Sequence, residues 1–426
     1  MKVLISRSKL EGILEAPKSK SIAQRLILAS VLSNDKFTIS KIPKCDDVES
    51  ALNFAKIFNA DINLNEDKNI LEIRCRYFEL RNSYVNLGAS GTTYRISLGI
   101  SSTLKGKLML DCDPTMRRRP IHELVKALTK LGARIEYLEN HGYPPVKVYG
   151  GLVGGTVEID GSISSQYVSA LIYAGVNSRD GIEVKIREPV VSKTYIKLTV
   201  QLLRKLGADI EYDQDRGIVY SYPSRIRGFV GEVPGDYALS AFIVVATLLS
   251  GNHVVLKGFN YELNKADIEI VDLLRSMDMN IEINNDLWII EKSQRPKAIS
   301  IKLTDNPDLV MPMAAMLAYA QGESRIEGIK HLVYKESDRL KSVVDTLRQF
   351  NVFAVHTENS IIIKGVEKTK AASIICPNDH RIAMMAGVLA ICSDGTSTID
   401  KAECVCKSWS TYWSDLKKLG AQISII

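Results

Sequence analysis

The chain contains a repeat, and this repeat restricts the possible fold more than any other feature. One pattern recurs as an amphipathic helix, a glycine or a polar residue, and then a short alternating strand. The copies read "ALNFAKIFNADINL", "LVKALTKLGARIEY", "LTVQLLRKLGADIEY", "IVDLLRSMDMNIEI", "VVDTLRQFNVFAVH" and "YWSDLKKLGAQISII". They are spaced by about 70 to 75 residues, which is longer than the usual solenoid periods.

A second series of segments runs in step with the first. Each segment is a polar cluster followed by small and apolar residues: "SKSIAQRLILAS", "GASGTTYRISLG", "SISSQYVSALIYA", "PGDYALSAFIVVA", "DNPDLVMPMAAML" and "NDHRIAMMAGVLA". Ser, Asp and Asn are common helix N-caps, and a helix that is apolar nearly all round is buried. Each repeat therefore predicts one buried helix, one amphipathic helix that covers it, and several strands.

The repeats predict an α/β chain of two domains. A length of 426 residues is too long for one ordinary core. Three repeats fit residues 15–231 and three fit 232–426, and the links near 15–17 and 228–234 contain proline and glycine. We expect residues 1–14 to form a first strand that completes the sheet of the second domain. That domain is then discontinuous, 1–14 with 232–426, and 15–231 is inserted into it.

Composition narrows the function classes. The 55 basic and 49 acidic residues leave a mild positive excess, which suits small anionic ligands, whereas nucleic-acid binding usually needs a focused basic patch. Seven cysteines without a CxxC pair argue against zinc, and their odd number favours reduced thiols in the cytosol. The longest apolar runs are about half of the ~20 residues that a membrane helix needs. We therefore expect a cytoplasmic protein with no membrane span and no nucleic-acid partner.

Basic side chains cluster at the predicted N-termini of the helices. Lys20 and Arg25 fall in the first two turns of one helix, and Arg95, Arg119 and Arg381 occupy comparable places. A cation there opposes the helix dipole, whereas free N–H groups at the same end bind anions. The recurrence of cations at these ends predicts a site for an anionic ligand.

Each of these residues also has a purely structural interpretation. Arg25 could extend its head group to solvent from a partly buried helix. Gly91 could serve only a turn, and Asp308 could be a first-turn acid that answers the helix dipole. The recurrence favours the ligand site over these alternatives.

The motifs together resemble the enolpyruvyl transferase family, and within it the 5-enolpyruvylshikimate-3-phosphate synthases, over essentially the whole chain. "PKSKSIAQR" is similar to the family's P-G-S-K-S-x-x-x-R, with Lys18 in place of glycine. Further matches are "SGTTYR", "RRRPI", "SSQYVSALI", "VSKTY", "NPDLV", "KESDRL", "NDHRIAM" and "CVCKSW". The sister family, which transfers the same group to a UDP-amino sugar, lacks the combination of K-S-x-x-x-R, S-S-Q and K-E-S-D-R-L.

The resemblance implies a fold and a reaction. The fold has two domains, each with three βαβαββ repeats around buried helices, and the active site lies in the cleft between them. The reaction transfers the enolpyruvyl (1-carboxyvinyl) group of phosphoenolpyruvate to the 5-hydroxyl of shikimate 3-phosphate and releases phosphate through a tetrahedral intermediate. It belongs to the shikimate pathway and aromatic amino-acid biosynthesis, needs no cofactor and no metal, and is the target of glyphosate. We expect a monomer.

The resemblance also implies residue roles. Glu336 protonates the methylene of phosphoenolpyruvate and later takes the proton back, Asp308 accepts the hydroxyl proton, and Lys20 stabilises charge in the intermediate. The residues that hold shikimate 3-phosphate are Lys20, Ser21, Arg25, Ser164, Ser165, Gln166, Ser192, Tyr195, Asp308 and Lys335. Those that hold phosphoenolpyruvate are Lys20, Gly91, Arg95, Arg119, Gln166, Arg339, Arg381 and Lys407.

Departures from the family pattern and two rival functions stay open at this point. Ala89 and His331 stand where members of the family carry asparagine, and Trp409-Ser410 replaces an aromatic-proline pair. One rival is an RNA-binding repeat protein, which would need interleaved aromatics or a basic stripe, and neither is found. The other rival is the UDP-sugar transferase.

Overall fold

The structure, a computed structural model, describes residues 1–76, 78–260, 262–284 and 286–426. The chain divides into an inserted unit, Ser19–Val233, and a discontinuous unit made of Met1–Lys18 and Pro234–Ile426. From the sequence, we expect the boundaries between the two domains after residues 14 and 231. The second division falls after 233 because the strand Phe229–Glu232 pairs in parallel with Phe37–Ser40 of the inserted unit.

The N-terminal segment forms two strands, β1 (Lys2–Ser6) and β2 (Gly12–Glu15), so the prediction of one strand over residues 1–14 is wrong. Between the two strands, the Ser8 backbone N–H donates to the Ile391 oxygen at 3.0 Å and the Glu11 N–H donates to the Leu419 oxygen at 2.9 Å, and neither acceptor belongs to a strand. These bonds take the chain out of one sheet and allow β2 to join another sheet of the discontinuous unit.

The inserted unit alternates helices with short strands. Its helices are α1 (Lys20–Ser30), α2 (Asp46–Lys56), α3 (Gly91–Ser102), α4 (Pro114–Arg117), α5 (His122–Lys130), α6 (Ser165–Val176) and α7 (Lys193–Lys205). Its strands are β3 (Phe37–Ser40), β4 (Asp61–Asn65), β5 (Ile70–Arg74), β6 (Tyr84–Asn86), β7 (Lys105–Asp111), β8 (Arg134–Tyr137), β9 (Val146–Gly150), β10 (Gly155–Asp160), β11 (Ile182–Arg187), β12 (Ile210–Asp213), β13 (Ile218–Ser221) and β14 (Phe229–Glu232).

The discontinuous unit follows the same alternation. Its helices are α8 (Tyr237–Ser250), α9 (Ile270–Ser276), α10 (Val310–Leu317), α11 (Arg339–Gln349), α12 (His380–Cys392) and α13 (Tyr412–Lys418), with 3-10 turns at Pro307–Leu309, Lys330–Tyr334 and Ala402–Lys407. Besides β1 and β2, its strands are β15 (His253–Lys257), β16 (Ile281–Asn284), β17 (Leu287–Glu291), β18 (Ser300–Lys302), β19 (Glu323–Glu327), β20 (Phe353–His356), β21 (Ser360–Lys364), β22 (Ser373–Ile375), β23 (Thr396–Asp400) and β24 (Gln422–Ile425).

The strands of the described residues form six four-stranded sheets with one shared pairing pattern, which confirms the repeat. In the strand orders given next, the first two strands of each sheet pair in parallel and the other neighbouring pairs are antiparallel. The strand orders are β14-β3-β5-β4, β6-β7-β9-β8 and β10-β11-β13-β12 in the inserted unit, and β2-β15-β17-β16, β18-β19-β21-β20 and β22-β23-β1-β24 in the discontinuous unit. Strands that are distant in sequence therefore complete three of these sheets.

The junction after the second helix of each repeat has one backbone conformation throughout the chain. The residue there has a positive φ in all six copies: Asn59, Gly132, Gly207, Asp278, Asn351 and Gly420. A left-handed residue of this kind commonly ends a helix, and glycine, asparagine and aspartate adopt it most easily. This conformation explains why the sequence pattern allows a glycine or a polar residue at that point.

The predicted apolar helices form the centre of each unit. α3 packs against α1 and α6 in the inserted unit, and α8, α10 and α12 pack against one another in the discontinuous unit. A Cβ at Gly99 would lie 2.3 Å from the backbone oxygen of Ala170, so this glycine permits the close approach of α3 and α6. In the described part of the chain, no helix combines the length and the apolar character that a membrane crossing requires.

Candidate active site

Lys20 opens helix α1 and is held by a carboxylate that the sequence alone did not reveal. The helix begins at Lys20 after Ser19, as the sequence predicts. The Lys20 Nζ lies 2.6 Å from Asp47 Oδ2, and both side chains are largely buried. Asp47 lies in the first turn of α2, where an acid is expected for the helix dipole. Because this local role already explains the aspartate, the sequence did not indicate its ion pair with Lys20. The ion pair fixes the ammonium group at the N-terminus of α1.

Arg25 is a buried cation surrounded by neutral groups. Its Nε donates to Thr199 Oγ1 at 2.8 Å, its Nη1 donates to the Ser21 backbone oxygen at 2.9 Å, and its Cζ lies 5.9 Å from the centre of the Tyr195 ring. Burial lowers the pKa of Arg25. Within the described residues, no carboxylate forms an ion pair with it. A guanidinium in these surroundings is suited to an anionic ligand.

Arg95 joins the N-terminal ends of α3 and α6. Its Nη1 donates to Gln166 Oε1 at 2.5 Å, and its Nη2 donates to the Pro120 backbone oxygen at 3.1 Å. The guanidinium also lies over the Tyr167 ring, 5.1 Å from its centre. Gln166 in turn donates to Thr92 Oγ1 at 2.9 Å. Two residues predicted to bind phosphoenolpyruvate are thus in direct contact.

Gly91 gives Arg119 room at the N-terminus of α3. A Cβ at Gly91 would lie 2.6 Å from Arg119 Nη1, closer than real Cβ contacts. From the sequence, either a turn or a ligand could explain this glycine. The structure adds a third reason, because the guanidinium of another predicted site residue occupies that space.

The remaining predicted residues lie at the ends of helices or turns. Ser164 is the N-cap of α6 and accepts a hydrogen bond from the Gln166 backbone at 3.3 Å, and Ser165 is the first residue of that helix. Ser192 precedes α7 in the left-handed conformation, with φ of 57°. Lys335 ends the 3-10 turn Lys330–Tyr334 in the discontinuous unit.

Arg339, the first residue of α11, organises a second cluster, which lies in the discontinuous unit. Its Nε donates to Asp379 Oδ2 at 2.8 Å and its Nη2 to Asp379 Oδ1 at 3.2 Å. Asp379 is also the N-cap of α12 and accepts from the Arg381 backbone at 3.0 Å. The sequence predicts a capping residue in "NDHR" but not this ion pair, because capping already accounts for an aspartate there.

The same guanidinium contacts both carboxylates predicted to be catalytic. Arg339 Nη1 donates to Asp308 Oδ1 at 3.1 Å, and Nη2 donates to Glu336 Oε2 at 2.9 Å. Burial disfavours the charged form of Arg339, but the carboxylates of Asp379, Glu336 and Asp308 outweigh burial, so its pKa is raised. Arg339 therefore stays charged and keeps two acidic groups at fixed positions.

Each of these two carboxylates has a second cation. Arg381 Nη2 lies 2.8 Å from Asp308 Oδ2, and Lys407 Nζ lies 3.0 Å from Glu336 Oε1. The arginine fork binds carboxylates and phosphates through two oxygens at once. The cluster thus combines groups that can exchange protons with groups that can bind an anionic substrate.

His331 and Trp409, two departures from the family pattern, are buried. Burial, together with the nearby charges of Lys335 and Arg339, lowers the pKa of His331 to about 3. Its Nε2 has no hydrogen-bond partner among the described residues. Trp409 Nε1 donates to Asp415 Oδ2 at 2.9 Å, which joins the turn to the first residues of α13. Among the described side chains, no group of three or more His, Cys, Asp or Glu residues is placed to hold a metal ion.

Comparison with known proteins identifies the family. Residues 5–416 match the family model described as EPSP synthase (3-phosphoshikimate 1-carboxyvinyltransferase). A protein of Caldivirga maquilingensis named 3-phosphoshikimate 1-carboxyvinyltransferase is 38% identical, and one of Sulfurisphaera tokodaii with the same name is 35% identical; each alignment covers 100% of both chains. The EPSP synthase structure from Acinetobacter baumannii has the same fold, with a TM-score of 0.82, 23% identity and 100% coverage of both chains. With a family match over nearly its whole length and full-length relatives above 30% identity, the chain belongs to the EPSP synthase family.

Proposed function

We propose that this chain transfers the enolpyruvyl group of phosphoenolpyruvate to the 5-hydroxyl of shikimate 3-phosphate and releases phosphate. The observation that carries the proposal is the sharing of the Arg339 guanidinium between Asp308 and Glu336. The reaction needs one group that gives a proton to a methylene carbon and another that removes a proton from a hydroxyl. Two carboxylates beside anion-binding arginines supply these functions together, and the family membership supports this chemistry.

The addition step uses the two carboxyl groups in opposite senses. Glu336 gives a proton to the methylene carbon, which becomes a methyl group. Asp308 removes the proton from the 5-hydroxyl while that oxygen bonds to the adjacent carbon of phosphoenolpyruvate. The product is a tetrahedral ketal that still carries the phosphate.

The elimination step reverses these roles. Glu336 removes a proton from the methyl group as the bond to the phosphate oxygen breaks, and Asp308 returns its proton to the departing phosphate. Lys20, fixed by Asp47 at the N-terminus of α1, stabilises the negative charge of the intermediate. Each carboxyl group ends the cycle in its starting protonation state.

Substrate binding divides between the clusters according to charge. We assign the phosphate of shikimate 3-phosphate to the neighbourhood of Arg25, because this buried cation has neutral partners. Arg339 and Arg381 are assigned to the carboxylate of phosphoenolpyruvate, as the family resemblance implies, because the arginine fork can bind a carboxylate through two oxygens at once. We also infer a cytoplasmic monomer, on the strength of the cysteine composition and the family resemblance.

A phosphate-release assay tests the proposal. The purified chain receives phosphoenolpyruvate with shikimate 3-phosphate, and the product is identified by mass. We expect one phosphate for each enol ether formed, and no phosphate when shikimate 3-phosphate is omitted. Release with UDP-N-acetylglucosamine but not with shikimate 3-phosphate would favour the sister activity. A salt-dependent affinity for polynucleotide without phosphate release would favour the RNA-binding rival.

A further inference from the structure

Two thiols of the discontinuous unit lie in contact although neither belongs to the proposed reaction. Cys376 Sγ and Cys404 Sγ are 3.2 Å apart. Cys376 follows strand β22 and is fully buried, whereas Cys404 lies in the 3-10 turn Ala402–Lys407 and is half-buried. A disulfide has a sulfur-sulfur distance of about 2.05 Å. An approach of about 1 Å would therefore allow the bond to form.

The backbone holds both thiols in place. The Cys376 N–H donates to the Asp400 oxygen at 3.1 Å, and its thiol donates to the Asp379 backbone oxygen at 3.3 Å. The turn that carries Cys404 packs against helix α12. Both thiols thus lie on segments that contact the same helix, α12. The fold of this unit therefore keeps the two sulfurs next to each other.

The two segments also carry groups of the second cluster. Cys376 lies three residues before Asp379, which binds Arg339, and Cys404 lies three residues before Lys407, which binds Glu336. The thiols are separated by 28 positions in the sequence. A covalent bond between them would close a loop that contains the whole of α12 and β23.

The two thiols differ in how easily they ionise and in their access to solvent. The contact between them lowers the pKa of Cys376 and raises the pKa of Cys404, so Cys376 ionises more easily than Cys404. Cys404 is the member that a small molecule reaches from solvent, since Cys376 has no exposed surface.

We propose that Cys376 and Cys404 form a reversible disulfide when a small peroxide oxidises them. This disulfide would link the segment before α12 covalently to the 3-10 turn that contains Lys407. The Cys404 sulfur bonds to a peroxide oxygen, the O–O bond breaks, and the thiol proton passes to the departing oxygen, so that a sulfenic acid and one water result. Cys376 then attacks the sulfenic sulfur, and the departing hydroxyl group takes the Cys376 thiol proton and leaves as a second water. Two thiols and one hydrogen peroxide give one disulfide and two waters, so that the peroxide is reduced and the sulfurs are oxidised.

The test treats the full chain with hydrogen peroxide and maps the peptides without reduction. We expect one peptide pair joined through Cys376 and Cys404, lighter by two hydrogens and separated by dithiothreitol. Because a cross-link restricts the unfolded chain, the oxidised protein should melt at least about 3 °C higher than the reduced protein. Cys406→Ser, two residues from Cys404, is the matched control and should keep both the linkage and the shift.

Two further variants make the outcome decisive. Cys404→Ser and Cys376→Ala should each lose the linked peptide and the increase in melting temperature. The proposal is overturned if Cys376 is still alkylated when the peroxide-treated protein is unfolded without reduction, if the linkage joins other cysteines, or if both variants keep the increase. These readouts do not depend on enolpyruvyl transfer, so the two proposals can fail separately.

Discussion

Asp379 and Arg339 form a two-point ion pair that is shielded from solvent, with 0% and 1% of their surfaces exposed. Arg339 in turn positions Asp308 and Glu336, which supply the proton transfers in the proposed reaction. An aspartate that has no assigned role in the chemistry thus holds the guanidinium that contacts the two carboxyl groups proposed to react.

Replacing the charge of Asp379 should cost stability as well as activity. Asp379→Asn keeps an oxygen for the N-cap of α12 but leaves Arg339 with less counter-charge. Breaking a buried pair costs about 3 to 5 kcal/mol, and because two carboxylates remain we expect the lower end, about 3 kcal/mol, in urea unfolding. Asp338→Asn, at the exposed N-cap of α11, is the control and should change the free energy of unfolding by less than about 0.5 kcal/mol. Equal losses of stability in the two variants would contradict the contribution of the Asp379–Arg339 ion pair to folding.

Glu336→Gln should separate catalysis from folding. The amide is nearly the same size as the carboxylate but cannot carry the methylene proton, and a lost general acid costs about 10² to 10⁴ in rate. We expect turnover to fall within that range, with substrate binding retained in a calorimetric titration. Glu327→Gln changes an exposed acid that pairs with Arg325 and should keep full turnover. Turnover of Glu336→Gln within about threefold of wild type would rule out the assigned role.

His331 should make the folded protein sensitive to acid. Burial lowers its pKa to about 3 in the folded state, from an ordinary value of 6.5. Between these values the unfolded chain binds a proton that the folded chain does not, so stability falls as the pH drops through this window. The loss approaches about 1.4 kcal/mol for each pH unit.

The corresponding variant is His331→Asn, which removes this proton. Comparing urea unfolding at pH 6 and pH 4.5, we expect the variant to lose about 2 kcal/mol less than wild type. His356→Asn, which replaces an exposed histidine, is the control. If His331→Asn and wild type lose the same free energy over this interval, another group is responsible for the acid sensitivity.

Gly91→Ala should change inhibitor selectivity through Arg119. The new methyl group would displace the guanidinium, which lies 2.6 Å from the Cβ position. We expect the Michaelis constant for phosphoenolpyruvate to rise and the inhibition constant of glyphosate, a slightly longer molecule, to rise more. Their ratio should increase at least about tenfold, equivalent to about 1.4 kcal/mol. A cycle with Arg119→Lys tests the coupling, and simple additivity of the two changes would show that Gly91 acts independently of Arg119.

The amino-acid sequence by itself determined the repeat and its local structure. The start of α1 at Lys20, the polar caps at Ser164 and Asp379, and the left-handed junctions at Gly132 and Gly207 all depend on interactions within a few residues. Caps, helix dipoles and the steric limits on φ act over that range. A pattern of residue types therefore suffices to predict them, and their six-fold recurrence makes the prediction strong.

Only the tertiary structure decided which distant groups meet. Lys20 pairs with Asp47 across 27 positions and Arg339 pairs with Asp379 across 40, and strand β14 returns to pair with β3. Local preferences are the same whether or not these contacts form, because the helix dipole accounts for Asp47 in the first turn of α2 and the cap of α12 accounts for Asp379. The partner of a buried charge is selected by packing, since an unpaired buried ion is costly and only the folded chain determines which opposite charge lies within reach.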